Sequence, residues 1–320
     1  MVSEVILYSA AFKPFLKNLV CGFQNAHSDQ KLIVIDGVST ELDQRYKQSL
    51  IGEGVIPDLF WSSAMDLQLQ LIEEGHARPF ACKWTESLPS WARFEQLGYS
   101  TTLEPIVNLI NKDIWPINSL GGNYDEILES LSQYKASDVI RVAMFDIRKN
   151  GLSSLLMAHA MRTEVNFINF ISTIAESEHV KVDLYGSNPP MMRALESQTT
   201  HLCINVLGSY AVRALSEIST AARATGESES IGVSRVAFIP LKAKNPKGAE
   251  LLLEYILSPE GQCKLDMDGL FPLKYSKRDI ELFPSIRALG LKEDIEPLNR
   301  ENFQAKILEI WTAKFETDKN

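Results

Sequence analysis

The chain has 320 residues, 45% of them hydrophobic and 23% charged, with a net charge of −9 at neutral pH. That length exceeds one ordinary core and suits two lobes. The acidic balance, with no basic run beyond Lys242 to Lys247, argues against nucleic acid as a partner, and no apolar stretch reaches the roughly 18 residues that insertion into a membrane requires.

Short β-type runs alternate with helix-length amphipathic segments, which predicts an α/β fold of parallel strands and crossover helices. Val5 to Tyr8 reads as a buried strand. Phe12 to Gln24 follows, with Phe12, Phe15, Leu16, Leu19, Val20 and Phe23 at helical spacing. Lys31 to Ile35 is a second strand. Thr40 to Leu50 is a helix capped by Ser39 or Thr40. Pro57 to Trp61 is a third strand, and Ala64 to Glu74 a helix ending at Gly75. Leu103 to Leu109 is an apolar run read as the first crossing into a second lobe.

In that lobe Tyr124 to Leu131 reads as a helix and Ile140 to Phe145 as a strand ending at Asp146. A long helix is expected over Leu155 to Ala175, a strand over Val180 to Tyr185 and a helix over Met191 to Glu196. Leu202 to Val206 is a strand and Ala211 to Ala222 a helix. A polar loop, Thr225 to Ser230, precedes the return crossing at Val233 to Leu241. Lys247 to Lys264 reads as one helix, and the chain beyond Phe271 is expected to wrap over the first lobe. Lobe one therefore takes residues 1–104 and 238–320, and lobe two 105–237. Two crossings rather than one tether imply hinge closure around a ligand.

Cys21, Cys82, Cys203 and Cys263 match no zinc or redox spacing and read as small buried residues. The five histidines are scattered, which argues against a His-rich metal site. No nucleophile elbow, phosphate loop or His-Glu-x-x-His helix is present. Asp36, Asp66 and Asp146 have no nucleophile beside them, so a binding protein without cofactor is expected rather than an enzyme.

In doubly wound lobes, ligands bind beyond the carboxyl ends of the strands, near helix N-termini. The turns at those places are Ser9-Ala10-Ala11, Asp36 to Thr40, Ser62-Ser63-Ala64, Asp146 to Ser154, Gly186-Ser187-Asn188 and Leu207 to Tyr210. Taken singly, their hydroxyls and amides read as helix caps. Together, six small polar turns on the same edge of two sheets would line one cleft. Small hydroxyls and backbone N–H groups suit a phosphate, phosphonate or carboxylate. The candidate ligand-binding residues are Ser9, Ser39, Thr40, Ser62, Ser63, Thr101, Asp146, Gly151, Ser153, Ser154, Gly186, Ser187, Asn188, Ser209 and Tyr210. Trp61, Trp84 and Trp91 either stack on a ligand or pack in the core.

The segment from Arg235 to Gln262 runs through an Asn245-Pro246 break and ends in Ser258-Pro259-Glu260-Gly261-Gln262. It resembles a signature of the extracellular solute-binding proteins of ABC importers, in the ferric-ion-binding branch. Pro116, Ser119 and Asp125-Glu126-Ile127-Leu128 occupy the places of that family's "Pro-x-Ser, then Asp-Leu-Leu" segment. Its usual Trp is absent, and Gly121-Gly122 stands nearby. Asp146 to Ser154 resembles the family's ligand-contacting "Asp-Pro … Ser-Gly" loop, with Ile147 for the Pro and Asn150-Gly151 for Ser-Gly. Gly186-Ser187 matches its "Gly-Ser" turn. Ser209-Tyr210 falls where ferric-binding members carry two adjacent tyrosines, and no His follows the first strand.

The resemblance implies the two-lobed type II periplasmic-binding-protein fold, with reversible capture of a solute and delivery to an ABC permease. Because one phenol replaces two, a small organic anion such as a phosphorylated sugar is favoured. Ferric iron held by Tyr210 with a bridging anion is the alternative. Phe60 to Gln68, Leu88 to Ala92 and Gly98 to Pro105 resemble a subgroup associated with sensor kinases, so a kinase ectodomain is a second possible partner. A monomer in the periplasm is implied. Met1 to Glu4 lack the features of a signal peptide, and the resemblance favours a chain that begins at its mature end.

Overall fold

Val5, Leu7 and Tyr8 bury along the first strand, and each later apolar run adds a strand beside it or a helix across it. The computed structural model describes residues 2–115, 123–132, 139–224, 229–274, 283 and 285–315. Two compact units form. The first comprises Met1–Glu104, Gly232–Pro284 and Ala288–Arg300, and the second Pro105–Ile231, Ser285–Arg287 and Glu301–Asn320. Pro116, Ser119, Gly121-Gly122 and most of the expected loop after Thr225 lie outside the described residues.

The chain opens with β1 (Ser3–Ser9), a short 3-10 turn (Lys13–Leu16), α1 (Lys17–Ala26), β2 (Gln30–Asp36), α2 (Ser39–Leu50), β3 (Leu59–Ser62) and α3 (Met65–Glu73). Then come α4 (Lys83–Glu86), β4 (Arg93–Phe94), β5 (Gly98–Ser100) and β6 (Glu104–Asn111). The second unit adds α5 (Tyr124–Ser132), β7 (Ile140–Phe145), α6 (Gly151–Thr163), α7 (Phe167–Glu176), β8 (Val180–Tyr185), α8 (Asn188–Glu196), β9 (Leu202–Leu207), α9 (Gly208–Glu217) and β10 (Ala221–Arg223). After β11 (Ser230–Val233) and β12 (Val236–Phe238) come α10 (Pro246–Leu257), α11 (Pro259–Met267), β13 (Ile286–Ala288), α12 (Glu296–Arg300) and α13 (Phe303–Phe315).

The first unit's sheet runs β2-β1-β3-β12-β5-β4, with β1, β2 and β3 parallel and β12 and β5 antiparallel. The second runs β13-β11-β6-β9-β7-β8, with β10 on β6. Trp61 lies in the first unit's core with Phe23, Tyr99 and Leu252. Trp84 and Trp91 are partly buried against that core. The Tyr124 ring packs 4.7 Å from Phe170 in the second unit. No helix among the described residues is long and apolar enough to cross a membrane.

Several predicted elements divide. Leu155 to Ala175 is two helices, because Glu164 turns extended (φ −114°, ψ 116°) and Val165 faces solvent at 98% exposure. The apolar stripe does not continue through that position. The helix expected to Ala222 stops at Glu217, and Ala221–Arg223 pairs with Leu109–Asn111 instead. Ser39 is the first residue of α2 rather than its cap. Val38 holds the cap position, without a side-chain bond. The chain beyond Phe271 does not all return to the first unit, for α13 packs on α6 and α7 of the second. Of the cysteines only Cys203 is buried, and all four are free thiols.

The helix expected over Lys247 to Lys264 also divides, at Ser258-Pro259, and the break gives each residue of the signature a physical task. Pro259 lacks the N–H that would continue α10 but fits the first turn of α11. The Ser258 hydroxyl donates to the Tyr255 carbonyl at 2.7 Å and accepts from Gly261 N at 3.1 Å. Glu260 accepts from the Tyr255 hydroxyl at 3.1 Å. A Cβ on Gly261 would lie 1.9 Å from the Tyr255 carbonyl oxygen. Gln262 donates to the carbonyls of Thr101 and Ile256 at 3.0 and 2.9 Å and accepts from Leu273 N at 2.8 Å. The motif thus turns the chain and ties three segments of the first unit together.

Candidate anion-binding turns

Parallel register sets which turns share an edge. In the first unit Ser9 pairs with Asp36 on one side and Trp61 on the other, so β1, β2 and β3 end together. Ser62 and Ser100 both stand opposite Val236, at the start of β12. This edge gathers Ser9, Asp36, Ser62, Ser63, Ser100 and Thr101. In the second unit Phe145 pairs with Tyr185, and β9 lies parallel on the other side of β7. Asp146, Gly186 and Gly208 therefore follow strands that end on one edge.

The cap interpretation fails at most of these turns. The helices α2, α3, α8 and α9 have no side-chain bond at their cap positions. The Ser9 hydroxyl closes a local turn with Ala11, donating to its carbonyl at 3.0 Å and accepting from its N–H at 3.1 Å. Ser62 Oγ accepts from Ala64 N at 3.2 Å. Thr101 Oγ1 accepts from the Trp61 indole at 2.6 Å and donates to the Arg235 carbonyl at 2.7 Å, so its hydroxyl is engaged inside the unit. Ser39 and Ser63 are buried at the edge, while Thr40 is half-buried in α2.

The second unit's turns are built differently. Asn150 caps α6, its Oδ1 accepting from Ser153 N at 2.9 Å. The same side chain donates through Nδ2 to the Gly186 carbonyl at 3.2 Å, which ties the turn before α6 to the turn before α8. Ser153 is 1% exposed, and its Oγ has no hydrogen-bond partner among the described residues. Asn188 is 8% exposed, and its Oδ1 is likewise unpartnered. As first-turn residues, Gly151 and Leu152 have backbone N–H groups with no intrahelical acceptor. Pro189 and Pro190 remove such donors from α8. The α6 start is accordingly the stronger anion site, with Ser154 one residue further in. Ser187 holds the α8 cap position, Ser209 is buried at the start of α9, and Tyr210 is half-buried beside it.

Two cations that sequence reasoning missed stand in this loop. Arg148 forks onto Asp146, Nε to Oδ1 at 2.7 Å and Nη2 to Oδ2 at 2.8 Å. Exposed Lys149 reaches within 3.9 Å of the same carboxylate. Burial alone would raise the Asp146 carboxyl, but the hydrogen bonds and charge of Arg148, together with the charge of Lys149, hold the pKa below the ordinary value. Asp146 thus braces the loop as a carboxylate. The spacing Asp-x-Arg-Lys-Asn-Gly carries this pattern in the sequence, yet without the fold it is indistinguishable from a solvated surface turn.

No protein-family model matches the chain, and no curated protein matches it either. Solved structures do match, over almost its whole length. A substrate-binding protein of an ABC transporter from Agrobacterium tumefaciens has a TM-score of 0.86 at 21% identity, covering 98% of this chain and 94% of that one. The ferric-binding protein of Campylobacter jejuni has a TM-score of 0.79 at 15% identity, covering 98% of this chain and 99% of its own. The fold is that of the two-lobed type II periplasmic binding proteins. A further structure with this binding-protein fold is the periplasmic binding protein AfuA from Actinobacillus pleuropneumoniae, with fructose-6-phosphate bound. It has a TM-score of 0.73 at 14% identity and covers 99% of this chain and 100% of its own. The expected fold class is therefore the observed one.

Proposed function

We propose that this protein is the solute-binding component of an ABC importer, working in the periplasm as a monomer. It captures a small organic anion with the polar turns of its lobes, closes by a hinge, and hands the anion unchanged to a permease. The similar structures are described as binding proteins, which supports a non-enzymatic role. The observation that carries the choice of an anion is the start of α6. There a buried, unpartnered Ser153 hydroxyl sits in a first turn whose cap, Asn150, also holds the turn before α8. Helix N-terminal amides and a hydroxyl donor form a site for anionic oxygen.

The test is a thermal-denaturation screen with inorganic phosphate, glycerol phosphate, succinate and ferric citrate. A ligand at 100 times its Kd adds about 2.7 kcal/mol of stability. At least one of the first three is expected to raise the melting temperature. Ser153→Ala should weaken that ligand about tenfold, the loss of one hydrogen bond to a charged group, with little change in the ligand-free melting point. A shift with ferric citrate alone, lost in Tyr210→Phe, would overturn the anion reading in favour of iron.

A further inference from the structure

Between β7 and α6 the chain carries three charged residues, Asp146, Arg148 and Lys149. Arg148 answers the carboxylate fully. Its Nε and Nη2 donate to the two oxygens of Asp146 at 2.7 and 2.8 Å, and its backbone N–H donates to Oδ1 at 3.1 Å. Asp146 is 3% exposed, so its carboxylate is set into the second unit. Lys149 is placed otherwise. Its side chain is 71% exposed, and its Nζ lies 3.9 Å from Asp146 Oδ2, beyond hydrogen-bond distance. Its stem runs over the turn before α8: a methyl on Gly186 would stand 3.8 Å from Lys149 Cβ and 3.9 Å from its Cδ. That is the turn which Asn150 holds through the Gly186 carbonyl, so Lys149 lies across the seam where the starts of α6 and α8 are tied.

The charge in this turn does not balance. One carboxylate against two cations leaves one positive charge over, in a chain whose net charge is −9. The N-terminal end of α6 adds to it, because the helix dipole is positive there. Both oxygens of Asp146 stay with Arg148, so Lys149 can move away from that carboxylate without stranding it. An exposed ion pair contributes little to stability, and a more highly charged partner draws the ammonium across. Lysine suits such a movement, having a compact charge and three rotatable donors on a flexible stem. The buried Ser153 hydroxyl acts on an anion already seated. The exposed ammonium, one residue before the cap Asn150, acts on an anion still in water. Its pull grows with the charge of the ligand and falls with salt. A carboxylate spends its single charge on the helix amides and the hydroxyl. A phosphate ester carries a second charge, on oxygens that the helix end does not use.

We propose that Lys149 is the capture residue of this site. It swings from Asp146 to the outer oxygens of a phosphate group seated at the start of α6, and so selects a doubly charged phosphate ester over a singly charged carboxylate. This rests on the organic-anion reading and narrows it to phosphate esters.

The test is isothermal titration calorimetry of the full chain at about pH 8 with glycerol phosphate and glycerate. Both carry a hydroxylated remainder, and the phosphate is doubly charged above its second pKa of about 6. Glycerol phosphate should bind about tenfold tighter than glycerate, the worth of one hydrogen bond to a charged group. Lys149→Met keeps the stem over Gly186 and removes the charge. It should weaken glycerol phosphate about tenfold and glycerate far less, with the ligand-free melting temperature unchanged. Lys149→Arg should keep the preference. Ser153→Ala should weaken both probes alike, since both head groups need that hydroxyl. Raising sodium chloride from about 50 to 500 mM should weaken glycerol phosphate more in the native protein than in Lys149→Met. Equal binding of the two probes, a Lys149→Met that weakens both alike, or the same salt dependence in both proteins would each overturn the proposal. If Ser153→Ala weakens both probes while Lys149→Met changes neither, this inference alone fails and the anion site stands. If neither probe binds, or binding ignores Ser153→Ala, the anion site at α6 fails and takes this inference with it.

Discussion

Asn205 holds a left-handed backbone (φ +61°) in the middle of β9, where the pairing with β6 shifts register between Val107 and Leu109. Its N–H donates to Asn108 Oδ1 at 2.9 Å, and its Nδ2 donates to the Tyr124 hydroxyl at 3.0 Å. A bulge at this point redirects the strand just before the Gly208-Ser209-Tyr210 turn. Asn tolerates this conformation better than most residues, and Ala does not. Asn205→Ala should cost about 2–3 kcal/mol in urea denaturation, one part for the backbone and one for the lost bonds. Asn205→Gly keeps the backbone and should cost about 1 kcal/mol less. At the same scale, burial and then Asp125 push the Glu164 carboxyl up to about 7, from an ordinary value of 4.5. The unfolded chain releases that proton first, so stability is full below about pH 4.5 and falls as the pH rises toward 7. Glu164→Gln should flatten the melting temperature across that window, and an unchanged slope would rule Glu164 out as its source. None of this is legible in the sequence, because Asn205 and Glu164 read there as ordinary polar residues. The same holds for the buried ion pair of Arg235 Nε with Glu104 Oε1 at 2.9 Å, whose members lie far apart in the chain.

Elements differ in how far they announce themselves. β7 and β8 follow from their own residues, since each is a short apolar run bounded by polar turns and their observed limits are the expected ones. The two-residue β4 and three-residue β10 exist only because a longer strand offers them hydrogen bonds, and no local pattern encodes that. Candidate serines are legible as turn residues, but that they are not side-chain caps for their helices depends on geometry that only the fold supplies. Two predictions belong to this scale. Gly261→Ala places a methyl on the Tyr255 carbonyl and should lower stability by about 2–4 kcal/mol in chemical denaturation, more than an exposed helical site would show. Asn150→Ala removes both the α6 cap and the tie to Gly186, and should cost about 1–2 kcal/mol together with a measurable loss of anion affinity.

At the scale of the molecule, the first three strands and their helices follow from the sequence, whereas the C-terminal route does not. The sequence shows that the chain past Phe271 is apolar enough to pack, but its pattern does not say on which unit. Ile307 and Trp311 settle the matter by burying fully, on a helix that lies against α6 and α7. Trp311→Ala should cost about 3–5 kcal/mol. Because α13 backs the helix that carries Ser153, a partly folded variant should lose anion affinity before it loses the first unit's structure. Hydrogen exchange resolved by unit would check this.

That placement has a bearing on how the protein is made. A ribosome releases β6 to β11 of the second unit well before α13, with much of the first unit's remainder synthesised in the interval at about 5–20 residues per second. For those seconds the back of α6 has no cover, and the nascent chain carries an open apolar face. A holding chaperone, or a partner that delays folding until synthesis is complete, would find its substrate there.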